Sequence, residues 1–331
     1  MKKILMGISV PEEVKNRYSD RFELVCPDAD KGRFSPEETA EHLKDASGYL
    51  GSVLNAGMID NAPKLEIASS FGAGYDGIDH IYAGSKGILV MNAPGGTTQP
   101  TAELTITIML CLTRRIFNFN KNMRAISRCV AAGGAFASAF DNAAGATMAY
   151  GKTIGIIGFG KIGKAVAKRA IGLGMKVIYN DVIRAPEELE TEMGVTYVEF
   201  EELLKTADYV TIHTFLSPHT RGLMGAEQFK LMKPTAYFIN AGRGGLMDEK
   251  ALISAIKNKE ILGAALDVFE LEPEVSPELF DMDEVVIVPH IGTSTRESRI
   301  NMAIEALDGI SAQLSGGESP TIVNREYYVP K

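Results

Sequence analysis

Two spacings of apolar residues alternate along this chain. Short, nearly continuous apolar runs read as strands, and between them lie polar stretches whose apolar residues recur at helical spacing. In the first hundred residues the runs are Lys3–Ile8, Phe22–Cys26, Tyr49–Leu50, Leu65–Ser69 and Ile88–Met91. Pro11-Glu12-Glu13 opens one intervening helix. Ser35-Pro36-Glu37-Glu38 opens another, with a serine cap and a carboxylate three residues on. A second series begins at Lys152, with runs at Thr153–Ile157, Lys176–Asn180, Tyr209–His213, Ala236–Asn240, Ile261–Asp267 and Val285–Val288. Strands alternating with helices predict an α/β fold with parallel sheets. Two segments break the alternation: Thr101–Arg124 reads as the longest helix, and the Ala/Gly-rich Ala125–Tyr150 as irregular connecting structure. After Thr295 an amphipathic helix runs to about Leu314, followed by a short tail.

Composition narrows the class. At 331 residues the chain has room for about two domains, and no fixed-period repeat points to a solenoid or propeller. The net charge is −8 with no Lys/Arg-rich block, so neither nucleic acid nor an anionic membrane is an expected partner. Three cysteines, Cys26, Cys111 and Cys129, are scattered without metal-ligand spacing, which fits a reducing compartment. No run of 18 apolar residues occurs, and the apolar run at the N-terminus is too short for a secretory signal. The expectation is a cytoplasmic globular protein without a bound metal.

One local motif carries cofactor chemistry. Gly158-Phe159-Gly160-Lys161-Ile162-Gly163 is a G-x-G-x-x-G directly after an apolar strand and before an Ala-rich helix. Its first glycine permits a tight turn, its second lets backbone approach a pyrophosphate, and its third lets helix and strand pack closely. Asp181 ends the next strand, placed to bond ribose hydroxyls and repel a 2′-phosphate. That favours NAD over NADP, although Arg184 nearby points the other way. An ordinary glycine-rich turn with Asp181 as a helix cap is the bland alternative.

Three polar residues follow later strands. Arg243 sits in Ala241-Gly242-Arg243-Gly244-Gly245, Glu272 precedes Pro273, and His290 follows Val285-Val286-Ile287-Val288-Pro289. All three would hang from the carboxyl rim of a parallel sheet, where open α/β sheets bind ligands. Arginine suits a planar carboxylate, and a glutamate beside a histidine favours the imidazolium, a tunable proton donor. With a dinucleotide nearby, this combination suggests hydride transfer to a 2-keto acid. Of the other histidines, His42 reads as solvated, His80 and His219 as surface turns, and His213 as structural or cofactor-lining.

On these residues the chain resembles the D-isomer-specific 2-hydroxyacid dehydrogenase family over nearly its whole length. The likeness rests on Gly158–Gly163, Asn240–Gly245, Leu266–Pro273, Pro289–Gly292 and an N-terminal match at Phe71–Asp79. It implies that Arg243 binds the substrate carboxylate, that His290 is the general acid/base and that Glu272 is its partner. Ala73 and Gly74 would offer amides to the carboxylate, and Phe71 could line the side-chain pocket or belong to the core. NAD contacts carry over to Gly158, Gly160, Lys161, Ile162, Gly163, Asp181, Thr214, Ala241, Arg243, Asp267, His290 and Gly292. The product would be the R hydroxy acid. The implied fold is a Rossmann dinucleotide-binding domain, residues 101–294, inserted into a flavodoxin-like substrate domain made of residues 1–100 and 295–331. Members are usually homodimers, with the helix from Thr101 at the interface. Where members of that family usually carry a tryptophan-containing segment before the cofactor strand, this chain has Cys129–Tyr150 and no tryptophan. Two other functions stay open: formate oxidation, which the resembling enzymes run with glutamine in place of Glu272, and dinucleotide sensing without turnover.

Overall fold

A computed structural model describes residues 1–28, 30–126, 145–319 and 321–330. The chain divides into two units, Met1–Pro100 with Thr293–Lys331, and Thr101–Gly292.

In the first unit, strands β1 (Lys2–Met6), β2 (Phe22–Val25), β3 (Gly48–Leu50), β4 (Ile67–Ser69) and β5 (Leu89–Met91) form one parallel sheet in the order β2-β1-β3-β4-β5. That is the flavodoxin-like order. Successive residues face opposite layers, so both faces must be apolar, which is why the strands read as continuous runs. Ile4, Met6, Ile67 and Met91 pack under the C-terminal helix (Arg296–Leu314) through Ala303, Ala306, Leu307 and Ile310. Leu5, Tyr49, Ala68 and Val90 face the other way, against Leu43, Ile59 and Ile78. Helices α1 (Glu12–Lys15), α2 (Pro36–Leu43), α3 (Ala56–Asp60) and α4 (His80–Ser85) fill the connections. The capping box at α2 forms: Ser35 Oγ accepts from the Glu38 amide at 3.1 Å, and Glu38 accepts from the Ser35 amide at 2.8 Å. Thr295 caps the C-terminal helix with its side chain alone, Oγ1 accepting from the Ser298 amide at 3.1 Å.

The helix expected over Thr101–Arg124 is instead two helices, α5 (Thr98–Thr113) and α6 (Ile116–Ile126). Arg115 between them adopts φ +53°, a left-handed conformation that no helix continues through. Pro100 lies within the first turn of α5, where its missing N–H needs no partner. Most of the Ala/Gly-rich stretch, residues 127–144 including Cys129, lies outside the described residues.

The second unit is built on a parallel sheet of β6 (Thr153–Ile157), β7 (Lys176–Asn180), β8 (Val195–Tyr197), β9 (Tyr209–Ile212), β10 (Tyr237–Asn240), β11 (Gly263–Leu266) and β12 (Val285–Ile287). Its order is β12-β11-β10-β9-β6-β7-β8. β8 was not expected from sequence, because three residues with an exposed Thr196 form no apolar run. Helices α7 (Lys161–Gly172), α8 (Glu187–Met193), α9 (Phe200–Thr206), α10 (Ala226–Leu231) and α11 (Glu249–Lys257) complete it. Ile154, Ile156, Tyr179, Tyr209 and Ile239 pack with Met109 of α5 and Val166 of α7; Val210, Ile212, Phe238 and Leu266 pack with Leu203, Phe229 and Leu252 on the other face. The strand order reverses between β6 and β9, the kind of switch point at which doubly wound sheets leave a ligand crevice. Among the described residues no helix is long and apolar enough to cross a membrane.

Candidate active site

The glycine turn leaves β6 at the switch point. Gly158 adopts φ +89°, and a Cβ there would lie 2.7 Å from the backbone of His213 and Thr214 at the end of β9. A Cβ on Gly163 would meet the Gly158 carbonyl oxygen at 2.2 Å, so α7 and the turn after β6 approach closely only because residue 163 is glycine. Gly160 differs: it is exposed, and a Cβ on it would meet nothing within 4 Å. Its openness is therefore not needed for packing. It caps α7 without a side-chain hydrogen bond, and Lys161 beside it is exposed. This leaves uncapped helix amides facing open space, the requirement of a pyrophosphate. Asp181, one residue past β7, accepts from the Phe159 amide at 2.6 Å and from the Ile183 amide at 3.2 Å. The carboxylate is thereby fixed beside the turn with lone pairs left for ribose hydroxyls. A dinucleotide fits these residues.

His213 lies at the same crossing. Its Nε2 is 3.0 Å from Thr211 Oγ1, and its buried Nδ1 has no hydrogen-bond partner among the described residues. Burial lowers its pKa to about 4, so the imidazole is neutral near pH 7. Thr214 is half-buried next to it.

The second half of the rim gathers side chains from three strands. In the sheet register Asn240, Leu266 and Ile287 are aligned, so Arg243 and His290 each lie three residues beyond the same level. Asn240 ties down the loop that carries Arg243: its Oδ1 accepts from the Gly242 amide and its Nδ2 donates to the Arg243 carbonyl, each at 3.0 Å. A Cβ on Gly244 would lie 1.8 Å from the Phe269 carbonyl oxygen, so glycine is what lets this loop meet the one after β11. In that loop Glu272 Oε1 accepts from the Phe269 amide at 3.0 Å, and Oε2 lies 2.7 Å from His290 Nδ1. His290 itself has φ +51° and is about half exposed, with side-chain accessibility of 47%. Asp267 holds that conformation: its two oxygens accept from the Ile291 amide at 2.6 Å and the Gly292 amide at 2.8 Å, while its carbonyl accepts from the His290 amide at 2.8 Å.

Electrostatics separate the two carboxylates. Burial pushes Asp267 up to about 6, opposed by its two amide donors. Burial pulls Glu272 upward as well, but the His290 hydrogen bond, the Phe269 amide and the charges of His290 and Arg243 outweigh it and leave its pKa below the ordinary value. His290 is raised, chiefly by its hydrogen bond to Glu272 and against partial desolvation and the Arg243 charge. Arg243 thus acts electrostatically on both members of the pair. The result is a carboxylate-anchored imidazole whose Nε2 can give or take a proton, beside a guanidinium suited to a carboxylate.

The structure brings together Arg243, Asp267, Glu272, His290 and Gly292 at one end of this rim, and Gly158, Gly160, Gly163, Asp181 and Thr214 at the other. Ala241 is buried at the root of the Arg243 loop, and Ile162 is half-buried in the first turn of α7. Phe71, Ala73 and Gly74 belong to the first unit, in the loop after β4. Phe71 packs against that unit's core, the Ala73 carbonyl accepts from Asn92 Nδ2 at 2.8 Å, and the Gly74 carbonyl accepts from Ser70 Oγ at 2.5 Å. His80 packs between the rings of Tyr75 and Tyr327 and His219 is exposed. His42, expected to be solvated, is half-buried, its ring centroid 4.9 Å from that of Phe34 just before α2. Sequence reasoning missed Asn240 as a loop tether. It also missed Glu249, a buried carboxylate that accepts from the amides of Glu270 and Ser276 and so braces the loop bearing Glu272. At the start of α11 that glutamate has the sequence signature of an ordinary first-turn acid, and no signal sets it apart.

Comparison with known proteins adds to this geometry. The family model for the D-isomer specific 2-hydroxyacid dehydrogenase NAD binding domain matches residues 106–292. A glyoxylate reductase of Thermococcus onnurineus is 36% identical over 330 residues, covering 98% of this chain and 96% of that protein. A glyoxylate reductase of Thermococcus litoralis is 42% identical over 272 residues, covering 81% of this chain and 80% of its own. Among solved structures, an NADPH-dependent glyoxylate/hydroxypyruvate reductase from Sinorhizobium meliloti, in complex with citrate, matches with a TM-score of 0.81 at 28% identity, covering all of both chains.

Proposed function

We propose, for a chain that belongs to the D-isomer specific 2-hydroxyacid dehydrogenase family, that it reversibly reduces a small 2-keto acid to the (R)-2-hydroxy acid, with NAD as its cofactor. Family membership makes it an NAD-binding oxidoreductase acting on a CH–OH donor; the residue roles, stereochemistry and substrate are our reading. The observation that carries it is the 2.7 Å contact between His290 Nδ1 and Glu272 Oε2. With Nδ1–H held by the carboxylate, Nε2 is the nitrogen left to serve the substrate oxygen. His290 donates a proton there as the keto carbon is reduced, and accepts it back in the oxidation direction. Arg243 binds the substrate carboxylate in a two-pronged pair, which fixes the keto carbon relative to His290. In this reading Ala73 and Gly74 offer amides to the substrate carboxylate, and Phe71, which packs on its unit's core, also lines the side-chain pocket. Bound nicotinamide supplies or receives the hydride. Asp181 favours NAD over NADP, and the protein acts as a cytoplasmic homodimer.

The two Thermococcus relatives make glyoxylate the first substrate to try, followed by hydroxypyruvate, pyruvate, 2-ketoisocaproate and phenylpyruvate. Initial rates of NADH oxidation should rise with at least one of them, and chiral analysis should give the R product. Tight NADH binding with no turnover across the whole panel would sink the enzymatic reading and leave a dinucleotide sensor. Light scattering of the purified protein, read against its monomer mass, tests the dimer.

A further inference from the structure

The turn after β7 runs Asp181-Val182-Ile183-Arg184-Ala185, and Arg184 is its single cation. An arginine close behind the ribose-binding carboxylate is the usual means of accepting a 2′-phosphate. Here that guanidinium is already engaged. Arg184 Nε donates to Glu190 Oε1 at 2.9 Å and Nη2 donates to Oε2 at 2.8 Å, a fork-on-fork pair. Glu190 comes from α8 and is buried, its side chain only 9% accessible. Its Oε1 also accepts from the Tyr179 hydroxyl at 2.6 Å, and that hydroxyl accepts from the Ala185 amide at 2.9 Å. Arg184 lies over the Tyr197 ring, 5.4 Å from its centroid, and Tyr179 stacks on Phe159 of the glycine turn with centroids 3.9 Å apart.

The arrangement is a closed set of partners. Withdrawing Arg184 would leave a buried carboxylate with one phenol for company, the costly half of a broken buried pair. Glu190 is held at about 2 by Arg184 first and by Tyr179 next, so it stays anionic at every working pH. Burial and Glu190 raise Tyr179 to about 12, which keeps its hydroxyl a donor.

We propose that Glu190 determines dinucleotide choice by position: it withholds Arg184 from a 2′-phosphate and thereby keeps NADH ahead of NADPH. Asp181 supplies the repulsion, and Glu190 removes the attraction that would otherwise oppose it. The inference rests on the reading that Asp181 faces the adenosine ribose. The NADPH-dependent relative of the same fold makes the question a real one, since the architecture itself serves both cofactors.

The test is equilibrium binding of NADH and NADPH to the full-length protein, followed by calorimetry, with 2′,5′-ADP and 5′-AMP as nicotinamide-free probes. Glu190→Gln keeps the shape and removes the charge. It should tighten NADPH and 2′,5′-ADP by about tenfold, the scale of one charge-assisted bond, and leave NADH and 5′-AMP within about twofold. Adding Arg184→Ala to that variant should cancel the gain, which a merely structural role for Glu190 would not predict. Arg184→Ala alone should leave the NADPH/NADH affinity ratio of the otherwise native protein unchanged, since any cost of the unpaired Glu190 falls on both dinucleotides alike. An unchanged NADPH/NADH ratio in Glu190→Gln, a gain that survives the second substitution, or a fall in the NADPH/NADH ratio in Arg184→Ala alone would each overturn the proposal. If the native protein binds neither dinucleotide, the cofactor reading falls and takes the proposal with it.

Discussion

The two ends of one sheet rim solve the same problem, placing polar groups where a ligand needs them, by different means. At the β6–β7 end the work is done by backbone: glycines make room, helix amides stay uncapped, and Asp181 is pinned by amides of its own turn and of the glycine turn. At the β10–β12 end it is done by side chains from three loops, each loop braced by a buried polar residue, Asn240, Glu249 or Asp267. The first arrangement offers donors and acceptors that need no change of protonation. The second centres on a half-exposed histidine whose pKa a neighbouring carboxylate raises. Binding is expected at one end and proton chemistry at the other, and substitutions can separate them.

The sharpest separation is expected at His290. His290→Gln should lower the rate of keto-acid reduction by about 10²–10⁴-fold, the usual worth of a positioned acid/base, while NADH affinity, for which His290 is one expected contact among many, falls far less than the rate. A variant that loses NADH binding in parallel with rate would erase the distinction between the two ends. Arg243→Lys keeps the charge but loses the fork. Loss of one charge-assisted bond of about 1.5–3 kcal/mol should cut kcat/KM by roughly 10- to 150-fold, read from initial rates at subsaturating keto acid.

The nucleotide end can be divided within itself. A Cβ at Gly160 meets open space, whereas one at Gly163 meets the Gly158 carbonyl at 2.2 Å. Gly160→Ala should therefore fold with unchanged thermal stability yet bind NADH about 10-fold more weakly, as a methyl group intrudes on the pyrophosphate's approach. Gly163→Ala should destabilise the protein by about 3 kcal/mol in denaturant titrations, from overpacking against backbone that cannot yield. Equal losses of stability in both would mean that Gly160 is structural after all.

This contrast also explains what could be read from the chain alone. The nucleotide end lies in one contiguous stretch, and its strand–turn–helix order is visible because apolar runs and glycines are neighbours in sequence. β6 and β7 begin and end where their apolar runs do. Arg243, Glu272 and His290 could be placed on one rim because a parallel sheet puts all strand ends on the same side. What joins them is tertiary. Neither the 2.7 Å approach of Glu272 to His290 nor the bracing by Glu249 has a local signature. The break at Arg115 was equally hidden, since Thr113-Arg114-Arg115 carries no glycine or proline to announce it. The same holds for Arg184: sequence puts it beside Asp181, and only the fold shows its charge spent on Glu190.

The smallest effect tests the electrostatic half of the comparison. Glu272 raises the pKa of His290 above its ordinary 6.5, and reduction needs the protonated imidazole. The rate of reduction should be full at low pH and fall as pH rises through that raised value, with oxidation showing the opposite trend. In Glu272→Gln the Phe269 amide can still be accepted but the charge is gone, so the falling limb should move to lower pH. The loss relative to the native enzyme should then be slight at pH 5.5 and grow toward pH 8. The accompanying stability term has the same sign. A histidine raised in the folded state stabilises it below the unfolded pKa, and that contribution disappears as pH rises through the folded value. At a side chain 47% exposed it is screened, and melting temperatures of the two proteins should differ little at any pH. A limb that stays in place, or a loss uniform with pH, would mean that Glu272 orients the ring without tuning its proton.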